Sequence, residues 1–164
     1  MSKYELAQLN IARMKEPLES PTMADFVANL DRINTLAESS PGFVWRLKSE
    51  DGDATAFRPL GDDTLINVSV WKDVASLNRY VYQSAHVEIM RRRKEWFERT
   101  REAYVVLWWV ARGHRPNATE AIAKLELLRA KGPTPEAFTF RNAFRAPDAP
   151  EPKAPFAFGD ECPA

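Results

Sequence analysis

Asn67, Ser69 and Trp71 stand at alternate positions of the apolar run Thr64 to Trp71, and His86 and Arg91 follow on the next helical stretch. A carboxamide or hydroxyl can hydrogen-bond a carbonyl or enolate oxygen, and an indole N–H can donate beside an apolar plate that stacks on a ring. An imidazole can take a proton, and a guanidinium can pair with the anion left behind. Together these groups suit metal-free stabilisation of an oxyanion. Side chains alternate along a strand, so Asn67, Ser69 and Trp71 share one face while Ile66, Val68 and Val70 share the other. A polar row on so apolar a strand is either a solvent face or the wall of a pocket. Which it is decides the function.

Each residue also has a structural reading. Asn67 is a pocket wall or a strand polar group facing water. Trp71, at the strand end, is a core or interface aromatic or a pocket plate. His86 falls on one helical stripe with Met90 and Phe97, beside Ile89. There it is a satisfied structural histidine, a general base, or a haem or metal ligand. A metal centre would want a second histidine or carboxylates at ligand spacing, and His114 sits in a turn before Pro116. Tyr82 ends a short helix, where it donates to a ligand or snorkels at the surface. Trp108 and Trp109 point to opposite faces, one toward helices and the other toward a partner or ligand. Trp45 and Trp96 read as core. The expected catalytic set is His86, Asn67, Trp71 and Arg91, with Ser69, Tyr82, Trp108 and Asn10 as substrate contacts. No metal site is expected. The chain has no Gly-rich phosphate loop, no Ser–His–Asp ordering, and its one cysteine, Cys162, lies three residues from the end.

The elements that must position these groups follow from periodicity. Tyr4 to Met14 alternates as a strand, with Tyr4, Leu6, Gln8 and Asn10 on one side. Ser20-Pro21 or Thr22 can cap a helix carrying Phe26, Leu30, Ile33 and Ala37 inward, and Ser39 to Gly42 stops it. Phe43 to Lys48 is a second strand, Glu50 to Asp53 a turn, and Thr64 to Trp71 the third strand. Asp73 can cap a helix over Val74 to Tyr82, and Ser84 a longer one from Ala85 to about Arg99. Tyr104 to Ala111 is a continuously apolar fourth strand, as expected when both faces are covered. A helix over Thr119 to Ala130, stopped by Gly132-Pro133, and a strand over Glu136 to Phe144 complete the domain.

Strand, helix, strand, strand, helix, strand predicts an α+β, ferredoxin-like split βαβ domain: an antiparallel sheet with helices on one face. The row Ile66-Val68-Val70, together with Val105, Leu107 and Trp109, is too apolar for water. A second copy of the chain is the expected cover, giving a homodimer through the sheet face, a dimeric α/β barrel. Residues 1–145 form the domain, with an appended helix and strand over about 116–145. Residues 146–164, rich in proline, are expected to be a disordered tail.

Composition narrows the function classes. At 164 residues, 45% hydrophobic and 28% charged, the chain suits one soluble globular domain. Its 23 basic and 23 acidic residues leave no net charge, so no nucleic-acid partner is expected. The run Arg91 to Lys94 is followed by Glu95, Glu98 and Glu102, the pattern of a solvated helix face. No segment approaches the ~18 continuous apolar residues of a spanning helix. With no apolar leader and no disulfide possible, a cytoplasmic setting without a membrane partner is expected.

Residues 3 to 112 resemble the dimeric α/β-barrel superfamily that includes the antibiotic-biosynthesis-type monooxygenases. The resemblance is carried by Val70-Trp71, a helix, and then Ser84-Ala85-His86. Leu107-Trp108-Trp109, Gly113-His114-Arg115-Pro116, Ala121, Leu125 to Leu128 and Gly132 to Phe140 resemble a bacterial family known only as a domain of unknown function. The superfamily's cofactor-independent members hold a phenolic substrate with a strand Asn and Trp while oxygen adds to the substrate carbanion. The resemblance therefore implies an oxygenase acting on an aromatic or quinol-like metabolite without a cofactor. Asn67 and Trp71 then match the strand pair, and Arg91 is the counterpart of the charge that steadies a phenolate. It also implies two alternatives: a haem-binding barrel, since related barrels use a histidine ligand, or a non-catalytic ligand-binding or stress-related module.

Overall fold

The computed structural model describes residues 2–48, 58–83 and 86–150. Four antiparallel strands, β1 (Tyr4–Arg13), β2 (Phe43–Arg46), β3 (Thr64–Trp71) and β4 (Val105–Ala111), form one sheet in the order β2-β3-β1-β4. Helix α1 (Ala24–Ser39) joins β1 to β2. Helices α2 (Val74–Gln83), α3 (His86–Arg91) and α4 (Arg93–Trp96) join β3 to β4, and α5 (Ala118–Lys131) follows β4. This is the ferredoxin-like α+β fold expected from the order of elements.

Register sorts the sheet into two faces. Leu6 pairs with Trp71 and Trp109, Gln8 with Ser69 and Leu107, and Asn10 with Asn67 and Val105. The inner face therefore runs from an apolar end (Leu6, Trp71, Trp109) through a polar middle (Gln8, Asn10, Asn67, Ser69) to a second apolar end (Ala12, Leu65). The first end packs on Leu77, Tyr80 and Phe138, the second on Met14, Met23, Trp96 and Phe97. Leu107 and Trp109 belong to this inner face and not, as expected, with the Ile66-Val68-Val70 row.

The outer face has a cover from its own chain. Ala7, Leu9, Ile66, Val68, Val70, Val106 and Trp108 are packed with Ala121, Leu125 and Leu128 of α5. The ground for expecting a second copy on this face is thus removed by α5. It starts one residue before the expected Thr119, where the Asn117 side chain accepts from the Glu120 amide, and Gly132 terminates it as expected, at φ +73°.

The remaining differences have local causes. Asp73 caps α2 as expected, accepting from the Ser76 amide at 2.8 Å, whereas Ser20 makes no side-chain cap. Ser84 and the turn at Glu50 to Asp53 lie outside the described residues. The long helix expected from Ala85 to Arg99 is instead two short ones. Trp96 and Phe97 are both buried. Leaving the helix at Phe97 (φ −125°, ψ 145°), where the chain pairs with Met14, buries both. No strand forms over Glu136 to Phe144. Phe138 alone bridges β4 at Leu107, with N–H···O distances of 2.8 Å both ways, before a turn held by Thr139 takes the chain off the edge. Residues 146–150, expected to be disordered, are docked: Asp148 accepts from the Lys3 amide and the Ser2 hydroxyl. The rest of the tail lies outside the described residues.

Gly42 is required where it stands. Its φ is +85°, and a Cβ there would sit 2.1 Å from Ser76 Oγ, so β2 can start beside α2 only without a side chain.

Candidate functional site

A cavity of about 230 Å³ lies over the polar middle of the inner face, between the two apolar ends of the sheet. Its floor is Gln8, Asn10 and Asn67. Its apolar wall comes from Phe26, Leu30 and Ile33 of α1, Leu77 of α2 and Ile89 of α3, with Phe97 and Tyr104 beyond. His86, Tyr82, Asn34, Arg46 and Arg93 supply other polar groups.

The floor is a connected network. Gln8 Nε2 donates to Asn67 Oδ1 at 3.0 Å and to Ser69 Oγ at 2.8 Å, and lies 3.4 Å from the Asn67 backbone oxygen. Asn10 Nδ2 donates to Gln8 Oε1 at 3.3 Å. Trp71 Nε1 donates to Ser69 Oγ at 2.8 Å. Gln8 and Ser69 are each only 5% exposed, while Asn67 is exposed and lies at the solvent side of the cavity. Gln8 was absent from the expected site. Its period-two relation to Asn10 was the signal that could have found it.

His86, at the start of α3, lines the cavity and meets the Tyr80 ring at 4.9 Å between centroids. Burial pushes its pKa below the usual histidine value, partly opposed by a hydrogen bond with the Val81 backbone. Tyr80 in turn stacks on Trp71 at 5.1 Å and 25°, and Trp71 meets Phe43 edge-on at 5.3 Å. Burial pushes the Tyr80 phenol well above its ordinary pKa, so it stays neutral.

Two expected residues are corrected in position and two in depth. Arg91 is exposed and does not line the cavity. The helix break at Arg92 turns Arg93 inward instead. Arg93 lies over the rings of Tyr104 (4.6 Å) and Phe97 (5.3 Å), and burial lowers its pKa. Its one hydrogen bond is to the Ile11 carbonyl at 3.4 Å, and among the described residues no carboxylate pairs with it. Trp108 lies on the outer face, 1% exposed, with Nε1 donating to Glu120 Oε2 at 3.0 Å, so it contacts no ligand in this cavity. Trp71 is 1% exposed and its N–H is committed to Ser69, so it stands behind the cavity and not in its wall. Ser69 is likewise beneath the floor. Asn67, Asn10, Tyr82 and His86 all line the cavity. Tyr82 packs edge-on to Phe140 at 5.8 Å.

Arg46, which sequence reasoning missed, reaches the cavity from β2 and pairs with Glu38 at 2.8 Å. Among the described residues no three His, Cys, Asp or Glu side chains group as metal ligands.

Strand order and cavity placement define a ferredoxin-like α+β domain with a small-molecule-sized site between sheet and helices. The chain belongs to a family described as a domain of unknown function (DUF3291), which matches residues 5–154. No curated protein matches it. Among solved structures it is similar to SnoaB, a cofactor-independent oxygenase from Streptomyces nogalater. That likeness has 19% identity over 69% of this chain and 98% of that one, with a TM-score of 0.45. It is similar as well to a protein of unknown function from Nitrosomonas europaea (15% identity, 70% and 95% coverage, TM-score 0.43). A dabb family protein with a ferredoxin-like fold from Mesorhizobium loti is a further neighbour (15% identity, 70% and 99% coverage, TM-score 0.40). No helix among the described residues is long and apolar enough to cross a membrane.

Proposed function

We propose that the inner-face cavity binds a small aromatic or quinol-like metabolite and that the protein oxidises it with dioxygen, without a cofactor. The observation that carries this reading is the meeting of His86 and the Asn67 carboxamide in one mostly apolar cavity. The volume, about 230 Å³, falls just below the ~300–1,000 Å³ of drug-sized pockets, which suits one or two rings.

In this reading His86, kept neutral by burial, takes the acidic proton from a ring CH₂ or phenol of the bound ligand. Asn67 donates to the oxygen on which the charge collects, and Arg93 replaces Arg91 as the cation that faces it. The carbanion then adds to dioxygen, forming a C–O bond, and the peroxide anion recovers the proton held by His86. Loss of water from that hydroperoxide leaves a ketone, so CH₂ plus O₂ gives C=O plus H₂O. Trp71 contributes from behind, by fixing Ser69 and carrying Tyr80 against His86.

Incubation with hydroquinone- and anthrone-type compounds under ¹⁸O₂, read by mass spectrometry, tests this. One labelled oxygen in the product is expected. Retention of ligand with no oxygen consumed would instead make the protein a binding module.

A further inference from the structure

We infer that Gln8 fixes the hydrogen-bond polarity of the cavity floor, so that the site selects ligands presenting an oxygen acceptor opposite Asn67. This rests on the reading of the cavity as a ligand site, but not on oxygenase chemistry. An asparagine can turn either its oxygen or its NH₂ toward a ligand, and the surrounding bonds decide which.

Here the decision starts from a group that cannot donate. The Asn67 backbone carbonyl, which can only accept, lies 3.4 Å from this end of Gln8 and favours the NH₂ there over the amide oxygen. The same NH₂ reaches Ser69 Oγ at 2.8 Å and the Asn67 side chain at 3.0 Å. The Asn67 atom it meets must then be oxygen. Its NH₂ is left on the other side, with no described side chain taking up its hydrogens, at a residue that lines the cavity. At the far end of Gln8, Oε1 accepts from Asn10 Nδ2 at 3.3 Å, which agrees with the same orientation. Gln8 is 5% exposed and enclosed by β1 and β3, so water does not compete for its amide.

The floor therefore presents Asn67 as a donor. A carbonyl, enolate or phenolate oxygen satisfies it, whereas an amine or an aromatic C–H leaves it unpaired. Gln8 is a positioning residue in this arrangement, and its effect lies in which ligand binds more than in how tightly ligands bind in general.

Titration calorimetry with 1-tetralone, an acceptor, against 1-naphthylamine, a donor of similar size, reads the polarity directly. Wild type should favour tetralone by about tenfold, the worth of one hydrogen bond. Gln8→Glu, which can accept from Asn67 but not donate to it, should turn the carboxamide and erase or reverse the preference. Gln8→Leu, the fallback should the glutamate variant not fold, should bring the ratio toward one. Asn67→Asp should favour the amine while leaving Gln8 in place. A general packing role for Gln8 would weaken both probes alike and leave the ratio unchanged; that result overturns the inference. Binding of neither probe by wild type at millimolar concentration overturns it together with the ligand-site reading. The tenfold preference in a protein that consumes no oxygen removes the oxygenase reading alone.

Discussion

Tyr80 stands between Trp71 and His86, its ring 5.1 Å from the indole and 4.9 Å from the imidazole. Through this column the end of β3 places the start of α3, so a residue buried behind the cavity governs one that lines it. Replacing Trp71 with Phe keeps the stack and loses the N–H to Ser69. It should lower activity mildly and leave the fold intact. Trp71→Ala should destabilise the protein by about 3–5 kcal/mol, the usual effect of removing a buried tryptophan. Urea unfolding of both variants separates the two contributions.

His86 makes stability depend on pH. Its folded pKa lies below its unfolded value, so the neutral form is favoured in the fold. That contribution is complete above the ordinary histidine pKa of about 6.5 and is lost as pH falls toward the depressed folded value. Wild type should therefore lose stability between neutral pH and the lowered pKa, and His86→Gln should flatten that slope. Thermal melts at pH 7.5 and 5.5 check the sign.

Arg93 and Arg91 should behave differently. Arg93→Met removes the cation that lines the cavity and should raise KM about tenfold or more for a phenolic substrate, the effect of losing a hydrogen bond to a charged group. Arg91→Ala, at an exposed position, should change neither KM nor kcat. Steady-state kinetics of the pair decide which arginine serves the site.

Helix α5 is the intrachain cover of the outer sheet face. Leu125, 2% exposed, is central to it, and Leu125→Ala should destabilise by about 2–5 kcal/mol. Leu125→Asp should lift the helix and expose the Ile66-Val68-Val70 row, raising self-association in sedimentation velocity. An unchanged mass and melting point would mean that α5 is not the cover.

The sequence made β3 and α5 plain. Period two marks Thr64–Trp71, and Gly132-Pro133 marks the end of α5. β3 carries Asn67 to the cavity floor, where β1 brings Asn10 beside it, while Tyr82 and His86 come from α2 and α3. Depth did not follow, because alternation says which face Trp71 joins but not whether a second layer covers it. Nor did the phase of the arginines. One break at Arg92 exchanges which member of the basic run turns inward. The strand expected over Glu136 to Phe144 shrinks to one bridge at Phe138, because the turn at Thr139 takes Phe140 to Tyr82 of α2 and off the sheet. Gln8 was visible beside Asn10, but its role needed the β1–β3 register, a long-range fact.

The central claim is that His86 and Asn67 act together on a ligand in the inner-face cavity. Oxygen uptake with a turned-over quinol- or anthrone-type substrate tests it when wild type, His86→Ala, Asn67→Ala and the exposed control Arg91→Ala are compared. The account predicts wild-type rates in the control, a loss of about 10²-fold or more in His86→Ala, and a comparable loss in Asn67→Ala. Undiminished uptake in folded His86→Ala and Asn67→Ala proteins would contradict it.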